Sequence, residues 1–161
     1  FYACAKNFYL QTIVRITSDC PFIDSDLILR GLKMFENSGK NYYISNCIER
    51  TYPRGFDFEI FSFEALERAH YEAQTPAERE HVTPFIRNEQ KNLGVILKHL
   101  TREENASHLR VTLDEEEDWQ LIKILIEKYH AETLNAEQII DVLNDDPILA
   151  KINARVEQKK I

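Results

Sequence analysis

The chain has 161 residues, with 27 acidic and 20 basic side chains and a formal net charge of −7. This balance excludes a protein that holds duplex nucleic acid mainly by neutralising its phosphates. No run approaches the roughly 20 apolar residues that a membrane helix needs, and no basic region followed by a long apolar run opens the chain. We therefore expect a cytoplasmic protein with neither a membrane segment nor a signal peptide.

Strand and helix patterns alternate along the chain, which predicts an α/β fold with a mainly parallel sheet flanked by helices. Strands are predicted at residues 12–17, 41–45, 56–61, 95–97 and 109–113. Helices are predicted from a cap at Ser25 to Gly39, over 63–73 and 115–129, and in shorter segments that begin near Thr75, Thr83, Asn135 and Pro147. The stripe Trp119, Ile122 and Leu125 predicts the core face of helix 115–129. Residues 1–161 contain no linker, repeat or low-complexity tract, so a single domain is expected.

Two of the predicted strands end in an aspartate, Asp19 and Asp114. In open α/β sheets, ligands bind beyond the carboxyl ends of the strands. Mg²⁺ takes one or two carboxylates and completes its shell with water and phosphate oxygens, so the pair predicts a magnesium site. An alternative remains for Asp114, because Asp114 and Glu117 also fit the spacing of a helix capping box.

Five segments, in order, resemble the SpsF-like cytidylyltransferases, which are named for a spore coat polysaccharide biosynthesis protein. Residues 16–24 (ITSDCPFID) resemble the pattern (I/V)TGDCPLID, and residues 50–62 (RTYPRGFDFEIFS) resemble RTYPDGLDVEVFS. Residues 63–69 continue that match, residues 79–86 (REHVTPFI) resemble REHVTPYI, and residues 109–114 (LRVTLD) resemble LRLTVD. The family is similar to the acylneuraminate and KDO cytidylyltransferases.

The resemblance implies a Rossmann-like three-layer α/β/α nucleotide-diphospho-sugar transferase fold. It also implies transfer of CMP from CTP to a sugar with Mg²⁺, in polysaccharide biosynthesis. The two metal-binding aspartates of the wider superfamily fall on Asp19 and Asp114. Two positions depart from the pattern: Ser18 replaces a glycine, and residues 114–118 read DEEED in place of DTPED.

The family's opening strand and its phosphate-binding loop, QARMGSTRLPGK, have no counterpart in these residues. The chain is therefore expected to be the C-terminal portion of a cytidylyltransferase, without the N-terminal strands. We expect it to be inactive alone and to self-associate, most simply as a homodimer, through the sheet edge left uncovered.

Further candidates for substrate binding each have a structural alternative. Asp57 and Glu59 alternate on one predicted strand, and the resemblance suggests the sugar side of the cleft or else a solvated face. Arg50, with Arg54, flanks the Tyr-Pro turn and suits the carboxylate or phosphate of an acidic sugar. The alternative is an exposed loop arginine, which is favoured for Arg54 because the family often has an acid at that position. Asn46 contacts substrate or makes a turn, and His81 contacts substrate or has a structural role.

The three cysteines, Cys4, Cys20 and Cys47, match no zinc spacing and predict reduced thiols. Two non-cytidylyltransferase interpretations remain open. One is a non-catalytic homologue or fragment that acts as a binding or dimerisation module. The other is a glycosyltransferase that uses a nucleotide-sugar donor, for which Asp24-Ser25-Asp26 has the Asp-x-Asp form, although helix capping explains that motif as well.

Overall fold

In a computed structural model, residues 1–88 and 94–157 are described, and they form a four-stranded sheet flanked by helices. The strands are β1 (Thr12–Arg15), β2 (Tyr42–Ser45), β3 (Glu59–Ser62) and β4 (Ile96–His99). Their order across the sheet is β1-β3-β2-β4. β3 is antiparallel to β1 and β2, whereas β2 and β4 are parallel.

The expectation of a mainly parallel sheet is therefore wrong for the centre of the sheet, where β3 runs against both neighbours. A parallel neighbour requires a crossover, usually a helix, that carries the chain back to its starting edge. Residues 46–58, between β2 and β3, form no helix. The chain accordingly returns beside β2 in the opposite direction.

The helices begin at the kinds of cap that the sequence indicates. Their bounds are α1 Tyr2–Asn7, α2 Ser25–Ser38, α3 Phe63–Glu72, α4 Pro76–His81, α5 Thr83–Arg87, α6 Glu116–Tyr129, α7 Ala136–Asp145 and α8 Pro147–Ile152. Thr75 and Glu78 form the expected capping box, and Asn135 caps α7. The cap of α2 is Asp24 and not Ser25, because the Asp24 carboxylate accepts the first free amides of that helix.

Alternate residues of the strands pack into two separate hydrophobic cores, one on each face of the sheet. Ile44 and Ile60 belong to a core with α2, α6, α7 and α8. Their neighbours Tyr43 and Phe61 belong to a second core with α1, α3 and α5. Helices thus cover both faces, and the three-layer α/β/α arrangement is confirmed.

One predicted core residue lies at the surface. Trp119 is 49% exposed, while α6 buries Asp118, Leu121, Ile122 and Leu125. The prediction is confirmed for Ile122 and Leu125 and is wrong for Trp119, because the carboxylate of Asp118 lies on the buried face of α6. Trp119, the next residue along the helix, lies at the boundary with solvent.

Among the described residues, residues 109–113 make a single parallel bridge, between Arg54 and Arg110. The Arg54 amide donates to the Leu109 carbonyl at 3.2 Å, and the Val111 amide donates to the Arg54 carbonyl at 2.7 Å. Residues 109–113 are therefore not a fifth strand of the sheet, as predicted, but a segment that is hydrogen-bonded to the loop before β3. Over the described ranges, no helix has the length and apolar character needed to cross a membrane.

Candidate functional site

The two candidate aspartates lie on chain segments that contact each other. The Leu113 amide donates a 2.9 Å hydrogen bond to the Asp19 carbonyl. Asp19 lies in a turn that follows β1, and Asp114 directly follows Leu113. Both side chains have access to solvent, with Asp19 half-buried and the Asp114 side chain 39% exposed. The backbone contact therefore brings the two carboxylate-bearing residues to one edge of the sheet.

Asp114 does not cap α6. The N-cap residue is Glu115, and the helix begins at Glu116, so the expected capping box of Asp114 with Glu117 is wrong. The amide of Glu115 instead donates to the Asp118 carboxylate at 3.2 Å. Asp114 uses its Oδ2 atom to accept a 2.6 Å hydrogen bond from Arg110 Nη2. The alternative structural role for Asp114 is thus an ion pair.

Asp118 is the centre of a buried polar network that the sequence patterns did not indicate. Its carboxylate accepts from Arg110 Nε at 2.9 Å, from Arg110 Nη2 at 2.8 Å and from Asn153 Nδ2 at 2.8 Å. It also accepts the Asp114 amide at 3.1 Å. Burial opposes ionisation, but the hydrogen bonds from Arg110 and Asn153 prevail and lower the pKa of Asp118. The spacing of Arg110, Asp114 and Asp118, four residues apart, was the available signal.

Arg50 and Asp57 form a bidentate ion pair, with nitrogen–oxygen distances of 2.6 and 2.8 Å. Asn46 is fully buried and brackets Asp57: its Nδ2 atom donates to the Phe56 carbonyl, and its Oδ1 atom accepts the Phe58 amide. Both ends of the Asn46 amide are therefore bonded to the backbone on either side of Asp57. Asn46 holds the loop in place, and Asp57 presents its carboxylate to Arg50.

Glu59 and His81, the other two residues predicted to contact substrate, differ from each other in their surroundings. Glu59 on β3 is buried, and its carboxylate accepts hydrogen bonds from Arg15 and from the Tyr43 hydroxyl. Burial raises the pKa of Tyr43 well above its usual value, and the Glu59 carboxylate adds to that shift. His81 ends α4, where its carbonyl accepts the Thr83 hydroxyl at 3.4 Å. Among the described residues, no hydrogen bond joins the His81 side chain to the aspartates.

The cysteines are free thiols, and two of them lie near the candidate residues. Burial raises the pKa of Cys20 to about 11, and burial likewise raises the pKa of Cys47 to about 11. Both are therefore protonated at neutral pH and are poor nucleophiles. Cys20 follows Asp19 and lies close enough to Asp57 for the Asp57 amide to influence its pKa. The Arg50–Asp57 pair is thus a neighbour of Asp19.

The donor set suits a hard cation that keeps much of its hydration. Within residues 1–88 and 94–157, no group of three or more His, Cys, Asp or Glu side chains is arranged to hold a metal ion. Mg²⁺ does not require such a cage, because it commonly binds through one or two carboxylates together with water and substrate phosphates. Two partly exposed carboxylates on touching segments fit that mode of binding.

A cavity of about 150 Å³ lies elsewhere, between α1, α3 and α4. It is lined by Phe1, Tyr2, Leu66, Ala69, His70, Glu78, Arg79 and Val82, and includes none of the candidate residues. Its volume is below the roughly 300 Å³ typical of small-molecule pockets.

Comparison with known proteins gave consistent matches. A family model described as Cytidylyltransferase matches residues 1–160. An uncharacterised protein of Methanocaldococcus jannaschii is 32% identical over 99% of this chain and 64% of its own length. Spore coat polysaccharide biosynthesis protein SpsF of Bacillus subtilis is 30% identical over 85% of this chain and 56% of its own. The chain thus spans less than two thirds of these relatives.

A solved structure shares the fold. The structure of a cytidylyltransferase from Leptospira borgpetersenii serovar Hardjo-bovis superposes with a TM-score of 0.85 and 27% sequence identity. The superposition covers 99% of this chain and 65% of that one. The antiparallel β3 and the helices on both faces therefore belong to an arrangement already seen in a solved protein.

Proposed function

The chain belongs to the cytidylyltransferase family, and from this premise we propose that the full-length protein is a CMP-sugar synthetase of polysaccharide biosynthesis. In the proposed reaction, a sugar hydroxyl oxygen bonds to the α-phosphorus of CTP, and the hydroxyl proton is released to solvent. The bond between that phosphorus and the oxygen leading to the β-phosphate breaks, and pyrophosphate leaves. Such transfers depend on positioning and on stabilising charge in the transition state.

The observation that carries the proposal is the hydrogen bond between the Leu113 amide and the Asp19 carbonyl. It supports a joint role for Asp19 and Asp114 in holding Mg²⁺ at the sheet edge, where ligands of open α/β sheets bind. When bound there, Mg²⁺ would neutralise charge on the triphosphate as pyrophosphate departs. The two carboxylates themselves bind and orient the cation, and neither is needed as a nucleophile.

Positive charge beside the aspartates supports an anionic ligand. Arg54 is half-buried, and burial lowers its pKa; the charge of Arg50 lowers it further, Asp57 opposes this shift, and Arg110 adds to the lowering. Arg50 is paired with Asp57, and Arg110 with Asp114 and Asp118. In the part of the chain described, the Arg54 guanidinium has no hydrogen-bond or ion-pair partner. A phosphate or carboxylate would give the Arg54 guanidinium a partner.

Contacts to the sugar are proposed for the predicted substrate-binding residues Asn46, Arg50, Asp57, Glu59 and His81. Their structural partners suggest different tasks. Asp57 is the most accessible of the acidic members, with a side chain 27% exposed. Asn46 and Glu59 are buried and would act by holding the loop and strand that present Asp57.

The direct test is product analysis with the full-length protein, CTP, Mg²⁺ and a panel of neutral and acidic sugars. We expect one sugar to yield a CMP-sugar, seen by mass spectrometry, with one pyrophosphate released for each CTP consumed. Replacing CTP by UTP provides the control for base preference. Sugar transfer from a preformed nucleotide-sugar, without pyrophosphate, would instead establish a glycosyltransferase and overturn the proposal.

A homodimer is also proposed, supported by the edge strand β1. Within the described sheet, β1 pairs only with β3, and Val14 and Ile16 are 37% and 44% exposed. An exposed apolar edge favours pairing with another strand. Sedimentation of the chain of residues 1–161 should give a dimer at micromolar concentration, and a Val14→Lys change should shift it toward monomer. A monomer for the parent protein would contradict this part of the proposal.

A further inference from the structure

Arg110 lies between two carboxylates of different exposure. Its side chain is 9% exposed, as against 0% for Asp118 and 39% for Asp114. We propose that Arg110, fixed by Asp118 and Asn153, is a positioning residue that orients the Asp114 carboxylate toward the divalent cation. The inference rests on the proposed function, since it assigns supporting residues to the same cation site.

The hydrogen bonds leave Arg110 little freedom. Its Nε and Nη2 atoms both donate to Asp118, at 2.9 and 2.8 Å, in the forked geometry that makes arginine–carboxylate pairs directional. The same Nη2 atom donates to Asp114 Oδ2 at 2.6 Å. Asp118 is held in the core, and its hydrogen bonds fix the Arg110 side chain. Arg110 in turn fixes the position of the Asp114 carboxylate that it contacts. Among the described residues, no hydrogen bond is made to Asp114 Oδ1, which is therefore available to a cation.

The backbone around Asp114 is held by the same carboxylate. Asp118 accepts the amides of Asp114 and Glu115, at 3.1 and 3.2 Å. Asn153, just after α8, donates to the Arg110 carbonyl at 3.1 Å and to Asp118 Oδ1 at 2.8 Å. The C-terminal helix thus braces the turn before α6, and both the backbone and the side chain of Asp114 are fixed from within the core.

Stability alone accounts for the Arg110–Asp118 contact but not for the third partner. A buried arginine and carboxylate need each other, because either one left alone would be an unpaired buried charge. The contact with the partly exposed Asp114 contributes little to stability, since solvent screens ion pairs of exposed carboxylates. The contact instead fixes the orientation of the Asp114 carboxylate. Partners that orient metal ligands in this way typically change metal affinity by about 10–100-fold when they are removed.

The test is a double-mutant cycle on the full-length protein with Mn²⁺ as the probe, titrated in the presence of CTP and followed by electron paramagnetic resonance. Arg110→Lys keeps the charge but cannot bridge both carboxylates, so we expect Mn²⁺ affinity to fall about tenfold or more. Arg102→Lys is the matched control, because Arg102 pairs with Glu137 away from the site. We expect its Mn²⁺ affinity to equal that of the parent.

The cycle is completed in an Asp114→Asn background, where Arg110→Lys should change Mn²⁺ affinity less than about twofold. An equal loss in both backgrounds would overturn the positioning role while leaving the proposed function intact. Asp114→Asn without effect on Mn²⁺ affinity would overturn both the cation site and the positioning role. If Arg110→Lys does not fold, Asn153→Ala takes its place in the same cycle, since it removes only one brace from Asp118 and from the Arg110 carbonyl. Equal losses with Asn153→Ala in both backgrounds would again overturn the positioning role.

Discussion

The Leu113 amide and the Asp19 carbonyl are joined by a 2.9 Å hydrogen bond, which ties the segment before α6 to the segment after β1. The residues involved are 94 positions apart in the chain, and the bond places Asp114 one residue from the contact. This contact brings Asp19 and Asp114 together in one candidate site. The predictions below test its chemistry and the structure that supports it.

Asp19→Asn should remove most turnover with little loss of stability. Among the described residues, the Asp19 carboxylate accepts only a weak contact from the Cys20 thiol, at 3.8 Å, and caps no helix. We expect pyrophosphate release to fall by about 100-fold or more, because a neutral amide is a poorer ligand for Mg²⁺. The melting temperature should stay within a few degrees of the parent. Asp26→Asn, on the exposed first turn of α2, is the control and should leave both quantities unchanged.

The Arg50–Asp57 pair should show strong energetic coupling. Its side chains are 13% and 27% exposed, and removing either one leaves the other charge largely desolvated. We expect Arg50→Ala and Asp57→Ala each to cost about 2–3 kcal/mol in the free energy of unfolding, and the double variant to cost much less than their sum. Urea unfolding measures all three. Additive losses would show that the pair is not a structural unit.

Gly55→Ala should be more destabilising than Gly39→Ala, although both glycines have positive φ, +108° and +101°. A Cβ at Gly55 would meet the Val111 backbone at 2.6 Å, whereas nothing lies within 4 Å of one at Gly39. The strained backbone costs about 1–3 kcal/mol in either case, and only Gly55 adds a steric clash. Equal losses in urea unfolding would contradict the close packing of the loop on residues 109–113.

The stability contributed by Asp118 should depend on pH. Its pKa in the folded protein is lowered, because its hydrogen bonds from Arg110 and Asn153 outweigh burial. An ionised Asp118 therefore stabilises the fold above the unfolded-state pKa of about 3.9, and this contribution is lost as pH falls through the folded-state value. We expect Asp118→Asn to be about 3 kcal/mol less stable than the parent at pH 7, and the gap to narrow below about pH 4. A gap that does not change between pH 7 and pH 3 would be the contrary result.

Much of the fold could be predicted because local signals there agreed with tertiary packing. The capping box at Thr75, the Asn135 cap and the strand at Thr12–Arg15 are properties of short stretches of chain. The reversed direction of β3 could not be read locally, since it depends on the route taken by residues 46–58. Trp119 was misplaced because helical periodicity assumes an apolar core, and here a carboxylate occupies the buried face.

In the candidate site, too, some features could be predicted from local sequence patterns and others could not. Asp19 and Asp114 were found from their positions after strand-like runs and from the family pattern. The Leu113–Asp19 contact and the Arg110–Asp118–Asn153 network join residues distant in sequence, so no local pattern contained them. Asn153 in particular comes from the last described helical region, and only the folded chain brings it to Arg110.

The central claim is that Asp19 and Asp114 jointly hold Mg²⁺ for cytidylyl transfer, and Asp114→Asn tests it most directly. The exchange removes the charge but preserves shape, and the ion pair with Arg110 is exposed enough that the melting temperature should hardly change. Pyrophosphate release from CTP and the accepted sugar should be measured across a Mg²⁺ titration for the parent and the variant. We expect the variant to lose most of its turnover at every Mg²⁺ concentration. Turnover close to that of the parent throughout the titration would contradict the two-aspartate site.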